Sequence, residues 1–378
     1  MKIKRFTLVA LLIVVLISVA LVVFWYVDGE EYYDVVKNYE IEEIFLTPGE
    51  TLKLDFRKQF ENSGLRIIKI EAESSDKAVF TVKGNRITAV SMGVARVTVK
   101  INDFKTMKEH TALAAVVCVF DVSQFTEIRT AQELADIGKI NSNTNGYILK
   151  ADIDLASFSK WKGIVDFRGM IVNPDGFKIK NLTTGTEDSF SSIQGLFREI
   201  FNAYIDGLIL QNVVMGSSEN RPFTVGAICG KAKSSFVRNC IVEGVIIADD
   251  RGGGIAGDCS NTVVANCIFD GAVSCENATS QAGGLAGNAD SSYIISCQLN
   301  GTVNGTAAGG IVGYGEQTRI EDCHAIGTLT GVATAGGVAG TFDDKEAGRL
   351  VDRYVTDCTF SGEANAENAG QLFGLIQK

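Results

Sequence analysis

The stretch from 308 to 327 combines residue types that could do chemistry. Its first half, AGGIVGYG, has the glycine content of a phosphate-binding loop, and four side chains able to bind a metal ion follow in a row: Glu321, Asp322, Cys323 and His324. A nucleotide loop occurs once, ahead of a helix, and a Walker loop needs Gly-Lys-Ser/Thr. Here the glycine run recurs along the chain without that lysine. The repetition favours structural glycines, at corners and close backbone contacts.

The composition argues against two classes of function. The chain has 378 residues, 45 of them acidic and 35 basic, and its net charge is −10. Basic residues cluster only within the first five positions, so nucleic acid is not expected as a partner, because its binding depends on phosphate neutralisation. His110 and His324 are the only histidines, and neither HExxH nor paired CxxC occurs. We therefore expect no zinc centre, no other metal and no cofactor.

The N-terminus has the pattern of a membrane anchor. Lys2, Lys4 and Arg5 precede an uncharged stretch, 6–27, that is long enough to span a bilayer as a helix, and acidic residues follow it. This order predicts a cytoplasmic N-terminus and an exported body. A cleaved signal peptide is the alternative, because 18–20 (SVA) offers a small-x-small site. We expect a signal-anchor at 1–27, a stalk at 28–40, and a single-pass protein of the cell membrane with an extracellular body.

Residues 41–121 have the pattern of a small all-β domain. Short alternating segments are separated by turn signals such as Gly84-Asn85 and Gly93, which predicts a hairpin-rich sandwich. The segments TPGETLKL and ESSDKAVFTVKGNRITAVSMGVARVTV resemble the bacterial Ig-like domain of group 2 over about 41–120. The sequence departs from that family at Ala72-Glu73, where a core tryptophan is common. The resemblance implies an extracellular spacer or adhesion module.

Beyond residue 121, one helix and then a repeat are predicted. Thr130 and Glu133 have the spacing of a capping box, so a short helix should begin there. From 122 to 378 the chain repeats a unit of about 27 residues, with glycines at two fixed positions of the frame and one slot filled by Leu182, Leu208, Cys240, Cys267, Cys297, Cys323 and Cys358. Three short apolar runs per unit predict the coils of a parallel β-solenoid with one continuous core.

The residue before the Cys/Leu slot marks a corner of each coil. It is a residue common in turns in every unit: Asn181, Gly207, Asn239, Asn266, Ser296, Asp322 and Asp357. Glycine, asparagine and aspartate tolerate left-handed or turn conformations, so Asp322 needs no metal to explain it. We expect Ile311 and Ile320 to face the core and His324 to face outward.

The repeat region also resembles a known family. AGGLAG, AGGIVG and AGGVAG (282–287, 308–313, 335–340) are similar to the GLUG-type repeats of bacterial surface proteins, and the resemblance covers about 125–378. It implies a right-handed β-helix in adhesin-like proteins, without catalytic residues. The predicted fold is therefore all-β, with an N-terminal transmembrane helix, an Ig-like β-sandwich and a right-handed parallel β-helix that begins with a capping helix.

Two kinds of side chain within this frame have more than one interpretation. The cysteines stack as a ladder of buried thiols, or neighbours pair, with Cys229, Cys259 and Cys275 as further partners. Calcium would need acids in one slot of adjacent coils. The other acidic residues look scattered: 249–251 (DDR), Asp290, Glu316, and an eight-residue insertion that contains Asp343, Asp344, Lys345 and Glu346. Because loops on rigid scaffolds often bind partners, these last four are the predicted binding residues.

These patterns predict a membrane-anchored, non-catalytic surface protein. It would be a rigid scaffold for adhesion, or for contact with a glycan or another surface protein. One alternative is a β-helix enzyme that degrades polysaccharides, which would need carboxylates with Arg or Lys on outward positions of consecutive coils. The other is a subunit of a larger surface assembly that associates through the open C-terminal end of the β-helix.

Overall fold

The N-terminal part forms two sheets that share one apolar core. The computed structural model describes residues 40–105, 107, 109–140, 143–158, 161–184, 192–343 and 354–377. One sheet has the order β1-β7-β6-β3 and the other β2-β5-β4, and a single turn of helix, α1 (Phe56–Gln59), follows β2. The strands are β1 (Glu42–Leu46), β2 (Thr51–Lys53), β3 (Ile67–Ser74), β4 (Phe80–Lys83), β5 (Arg86–Ala89), β6 (Gly93–Asp103) and β7 (Glu109–Val119). We call this part the N-terminal unit; its resemblance to the Ig-like family and the predicted domain boundaries stay predictions.

The predicted helix after residue 121 is present. It is α2 (Ala131–Asp136), flanked by 3-10 turns at Val122–Gln124 and Ile137–Lys139. The capping box is confirmed, because the Thr130 side chain accepts a bond from the Glu133 backbone N–H and the Glu133 side chain accepts one from the Thr130 N–H. Leu134 and Ile137 are buried in the solenoid core, so the helix covers the start of the coils.

The rest of the described chain is a right-handed parallel β-solenoid of about seven turns, which confirms the predicted β-helix. Sheet I has nine strands: Thr126–Ile128, Gly146–Leu149, Met170–Val172, Tyr204–Asp206, Phe236–Arg238, Val263–Ala265, Tyr293–Ile295, Arg319–Glu321 and Val355–Thr356. Sheet III has seven: Phe197–Phe201, Cys229–Lys233, Ala256–Ser260, Ala286–Asp290, Val312–Glu316, Ala339–Asp343 and Phe373–Gln377.

Sheet II connects the other two sheets. Its thirteen strands are Ile153–Asp154, Lys178–Lys180, Ile193–Gln194, Ile209–Met215, Thr224–Gly226, Ile241–Ala248, Arg251–Gly253, Ile268–Cys275, Gln281–Gly283, Gln298–Gly309, His324–Gly336, Thr359–Asn365 and Asn368–Gly370. Coils pair in parallel and largely in register, so equivalent side chains stack about 4.8 Å apart along the axis. Ile311 and Ile320 face the core and His324 is exposed, as predicted.

The corner between sheets I and II is confirmed at every predicted position. All seven residues before the Cys/Leu slot have a positive φ, from 52° to 76°. A second left-handed corner lies between sheets III and I, at Asn202, Ser234, Asn261, Ser291 and Gln317. The sequence analysis did not predict this corner, where one coil has glutamine, Gln317, which is not a characteristic turn residue.

Both corners are stabilised by the same local hydrogen bond. At the first corner the cysteine thiol donates to the carbonyl two residues earlier, as Cys323 does to Glu321 at 3.3 Å. At the second, a buried hydroxyl does the same, as Thr318 does to Glu316 at 2.9 Å. Ser235, Thr262 and Ser292 repeat that second bond in their own coils. Where the slot holds cysteine, the thiol adds this hydrogen bond. Leu182 and Leu208 fill the slot without a donor, so apolar volume is what all coils share there.

All nine cysteines are free thiols, so the ladder interpretation is confirmed over the disulfide alternative. Eight are buried, and Cys358 on the last coil is partly exposed. Cys267 and Cys297 each donate their backbone N–H to the sulfur of the next cysteine in the ladder, at 3.4 Å. Burial raises the pKa of the Cys267 and Cys297 thiols well above the usual range, so these two interior thiols stay protonated and unreactive.

The expectation of a single-pass membrane protein is corrected by the structure. Within the described residues, no helix is both long and apolar enough to cross a bilayer. The segment on which the expectation depended, 1–27, lies outside these residues, as does most of the predicted stalk, 28–40. The fold class that the described residues support is an all-β solenoid, and the transmembrane helix of the prediction is not part of it.

Candidate functional site

The outer face of sheet I is covered by the N-terminal unit. Outward side chains from successive coils pack on that unit, and the Tyr204 and Phe236 rings stack with centroids 5.4 Å apart. Phe45 of the unit meets the Tyr204 ring edge-on at 5.6 Å. The other members of this apolar contact are Val94, Leu113, Val116, Cys118, Phe120, Met170 and Val263. The middle strands of sheet I are therefore buried against this unit and are not available to a partner.

Polar contacts fix the N-terminal unit at the edge of this apolar contact. Arg238 of sheet I pairs with Glu43 of β1, and the Tyr204 hydroxyl donates to the same carboxylate at 3.1 Å. On the other side, Arg96 Nη1 donates to the Asn261 carbonyl at 2.6 Å. The groups of the first pair are less than a quarter exposed, so solvent screens their attraction only in part. The unit and the coils it contacts therefore form one block.

The outer face of sheet III has a different character, because its side chains are mostly polar. Alternation in each strand places two residues outward and the one between them in the core, as in Asp258 and Ser260 on either side of Cys259. In-register pairing aligns these positions in two columns along the axis. The first column is Glu199, Lys231, Asp258, Asn288, Tyr314 and Thr341; the second is Phe201, Lys233, Ser260, Asp290, Glu316 and Asp343.

The second column brings three carboxylates together on consecutive coils. Asp290, Glu316 and Asp343 are register partners, so neighbouring acids are about 4.8 Å apart. The Tyr314 hydroxyl donates to Asp343 Oδ2 at 2.8 Å. Burial and the neighbouring Asp343 raise the pKa of Tyr314, so its hydroxyl remains a donor. We call these four residues the acidic column.

Of the four predicted binding residues, the structure places one. Asp343 ends a strand of sheet III and belongs to the acidic column. Asp344, Lys345 and Glu346 lie outside the described residues. Asp290 and Glu316 were interpreted from the sequence as scattered acids. However, each acid of the column lies three positions after the repeat glycine of its coil, which is Gly287, Gly313 or Gly340. Reading the frame at that offset would have found the column.

A second group of charges lies where the short strands of sheet II meet sheet III. Asp258 accepts bonds from Arg251 Nη1 at 2.5 Å and from Asn288 Nδ2 at 3.0 Å. Arg251 Nε is 3.5 Å from Asp250 Oδ2, and the Thr279 hydroxyl donates to the other oxygen of Asp250 at 3.3 Å. We call Asp250, Arg251, Asp258 and Asn288 the arginine cluster. It joins the predicted 249–251 segment to the next strand.

The two carboxyl groups of the arginine cluster differ in environment. Asp250 is 7% exposed, and burial raises its pKa above the usual range. Asp258 accepts bonds from a guanidinium and an amide. A buried carboxyl group near a second carboxyl group and an arginine is an arrangement that general acid–base chemistry can use. It equally suits the binding of a polar ligand by charge-assisted hydrogen bonds.

Neither group has the geometry of a metal site. Within the described part of the chain, no three His, Cys, Asp or Glu side chains are placed to hold one ion. Asp322 and Asp357, the acids that share a slot in adjacent coils, are exposed corner residues, and Asp322 accepts a bond from the Ser296 hydroxyl at 3.0 Å. His324 bonds through Nδ1 to the Thr359 hydroxyl at 2.8 Å. The expectation of no metal or cofactor stays a prediction.

Comparison with known proteins supports the repeat more than any specific activity. The GLUG motif matches residues 304–330, and no curated protein matches the sequence. Among solved structures, the chain is similar to one named IgA1 Protease, with 16% identity and a TM-score of 0.47. The match covers 87% of this chain but 28% of that one. Because that structure bears the name of an enzyme, the expectation that this chain is not an enzyme is withdrawn; the likeness assigns it no activity.

Proposed function

We propose that this chain works outside the cell as a scaffold for adhesion, and that it contacts a glycan or another surface protein through the outer face of sheet III. One observation carries the proposal: carboxylates, amides and an aromatic ring are aligned along this face, whereas the face of sheet I is covered. The GLUG match and the β-solenoid fold are compatible with a surface or extracellular role.

The alignment of the columns suits an extended ligand. Polar groups recur about every 4.8 Å over several coils, so a polymer lying along the axis would meet the same kind of contact repeatedly. The backbone that carries these groups is paired on both sides, so it is held rigidly before a ligand binds. The resemblance of 41–121 to an Ig-like module also fits an extracellular setting. Because that unit is docked, it would stiffen the rod rather than act as a separate spacer.

Binding by isosteric variants would test the proposal. The double variant D290N/E316Q removes two charges from the acidic column with little change in shape. The matched control is E243Q/D270N, because Glu243 and Asp270 are register neighbours on the outer face of sheet II. We expect the first variant to bind immobilised envelope polysaccharide or cells about tenfold more weakly, and the control to bind like the wild type. Equal losses in both variants, or no binding by the wild type, would contradict the proposal.

A glycan-degrading activity is the second candidate, and the arginine cluster favours it. The enzyme alternative required carboxylates with Arg or Lys from consecutive coils. The cluster supplies two carboxylates and an arginine from one coil, Asp250, Arg251 and Asp258, and an amide, Asn288, from the next coil. Asp250 would protonate the leaving oxygen, and Asp258 would act as base or nucleophile. Release of reducing ends from a panel of polysaccharides measures this activity. Cleavage that D250N and D258N each abolish would establish it; cleavage that both variants retain would exclude this cluster.

Association through the C-terminal coil of the described solenoid remains a further proposal. The strands Thr359–Asn365 and Phe373–Gln377 each have one neighbouring strand in the described structure, and Leu372 and Leu375 are more than a third exposed. Unpaired strand edges and exposed apolar side chains favour pairing with a further strand. Light scattering of the purified chain tests this, and a monodisperse monomer would count against it.

A further inference from the structure

The cysteine ladder ends at its one partly exposed thiol. Cys240, Cys267, Cys297 and Cys323 are buried, whereas Cys358 lies on the last coil and is reached by solvent. Cys323 and Cys358 hold the same position on adjacent coils, directly before the paired residues His324 and Thr359. Cys358 also donates to the carbonyls of Thr356, at 3.2 Å, and Ile320, at 3.7 Å. Two thiols therefore lie on neighbouring rungs at the last described coil, and one of them is partly exposed.

The backbone holds these two residues within the range of a disulfide. The strands that follow them are in register, with His324 opposite Thr359, and the Thr359 N–H donates to the Cys323 carbonyl at 2.9 Å. Their Cα atoms are thus one rung apart, about 4.8 Å, and disulfides need about 4.4 to 6.8 Å. The Cβ atoms of an in-register pair are about 1 Å farther apart than the disulfide average of about 3.8 Å.

Only the last rung can make that small approach at low cost. Cys267 and Cys297 lie between coils on both sides, so a shift there would disturb two sets of backbone hydrogen bonds. The coil of Cys358 is paired with one neighbouring coil in the described structure, and its side chains are largely exposed. Local opening is easiest where few buried contacts oppose it.

We propose that Cys323 and Cys358 form a redox-sensitive site, which a low-molecular-weight disulfide such as oxidised glutathione converts to an intramolecular disulfide. The Cys358 thiolate attacks the oxidant and releases one glutathione thiol, leaving a mixed disulfide. Cys323 then displaces the second glutathione thiol. Two protein thiols are oxidised, one external disulfide is reduced, and their protons leave with the two glutathione molecules. The product fastens the last coil to the one before it.

Peptide mapping of the oxidised chain tests this inference directly. The reduced chain is incubated with oxidised glutathione and digested without reductant. We expect a Cys323–Cys358 cross-linked peptide, loss of two of the nine thiols, and proteolysis of the last coil slowed by about tenfold. C358S should lose all three signals. C297S removes an interior rung of the same ladder and should keep them, which makes it the matched control.

The other outcomes would overturn the inference. A mixed disulfide that persists on Cys358 would show that Cys323 does not reach it. Loss of more than two thiols, or a cross-link elsewhere in the ladder, would show that the last rung is not preferred. If C358S fails to fold, the wild-type peptide map still decides. The result does not depend on what sheet III binds.

Discussion

A column of glycines in sheet II provides a strong test of the coil geometry. Gly244, Gly271, Gly301, Gly327 and Gly362 are register partners on consecutive coils. Gly301 has φ 154°, and a Cβ added there would lie 1.8 Å from the carbonyl oxygen of Gly271. Real Cβ atoms essentially never come within 3.0 Å of such an atom, so two coils would have to separate by more than 1 Å. The substitution G301A should therefore disturb the pairing of two rungs.

The magnitude follows from two contributions that a control can separate. A residue other than glycine in a left-handed backbone costs about 1 to 2 kcal/mol. Separating the rungs weakens about two backbone hydrogen bonds, each of which contributes about 1 kcal/mol. G301A should therefore lower the free energy of unfolding by about 4 kcal/mol. Gly176 also has a positive φ, 74°, but no atom lies within 4 Å of its added Cβ. G176A should therefore lower the free energy of unfolding only by the cost of the left-handed backbone, about 1 to 2 kcal/mol.

Urea unfolding followed by circular dichroism measures both variants against the wild type. The difference between G301A and G176A, about 2 kcal/mol or more, reports the close approach between coils alone. If the two variants agree within about 1 kcal/mol, the inferred contact between the rungs is wrong. A lower unfolding slope in G301A would indicate instead that a terminal group of coils unfolds separately.

Three further predictions concern other parts of the structure. E43Q removes the closer of the two carboxylates that pair with Arg238, since Asp206 remains 3.8 Å from Arg238 Nε. The change should cost about 2 kcal/mol and expose the connection after residue 120 to limited proteolysis; E42Q, on an outward neighbour, should not. A hydrogen bond from Lys180 lowers the pKa of Asp152, and one from Asn181 lowers the pKa of Asp154. The stabilisation by these two carboxylates is therefore present above the usual carboxyl pKa and is lost as the pH falls through the lowered values. Hydrogen exchange should show the first coils opening more often at acidic than at neutral pH, and equal protection at both would refute this. A thiol reagent added to the native reduced chain should label Cys358 alone, and nine thiols after unfolding; rapid labelling of a second cysteine would contradict the burial of the ladder.

The parts of the fold that the sequence could predict are those that repeat. The Cys/Leu slot and the turn residue before it recur because each coil must make the same corner, so seven positions pointed to one conformation. The second corner has a comparable backbone but varied residues, such as Ser291 and Gln317. The positions of this corner repeat along the sequence at the same interval as the coils, but the residue types there are less uniform. Periodicity predicts what every coil needs and says less about what one coil does.

The candidate site was harder to predict because it depends on outward positions and on docking. Asp258 occupies a position that holds lysine in the preceding coil and asparagine in the next, so no consensus marks it. Asp290 follows a serine in its column, and the acids become regular only from that coil onward. The docking of the N-terminal unit depends on Tyr204 and Phe236, aromatic residues on an outward face whose partners lie far away in sequence. Once this unit covers sheet I, sheet III is left as a polar face. The contact between the N-terminal unit and sheet I, which are far apart in sequence, therefore determines which outer face of the solenoid can bind a partner.

The lateral position of the N-terminal unit determines how the molecule would respond to force. The unit lies on the flank of the coils and is joined to them by a short connection, 120–125. A pull applied at its N-terminal strand, β1, would load the Glu43–Arg238 pair and the Tyr204 contact in shear before any coil is strained. The docked unit would detach first, and the strand ladders of the solenoid would bear load only afterwards. Loading from β1 would therefore separate the N-terminal unit from sheet I while the solenoid keeps its strand pairing.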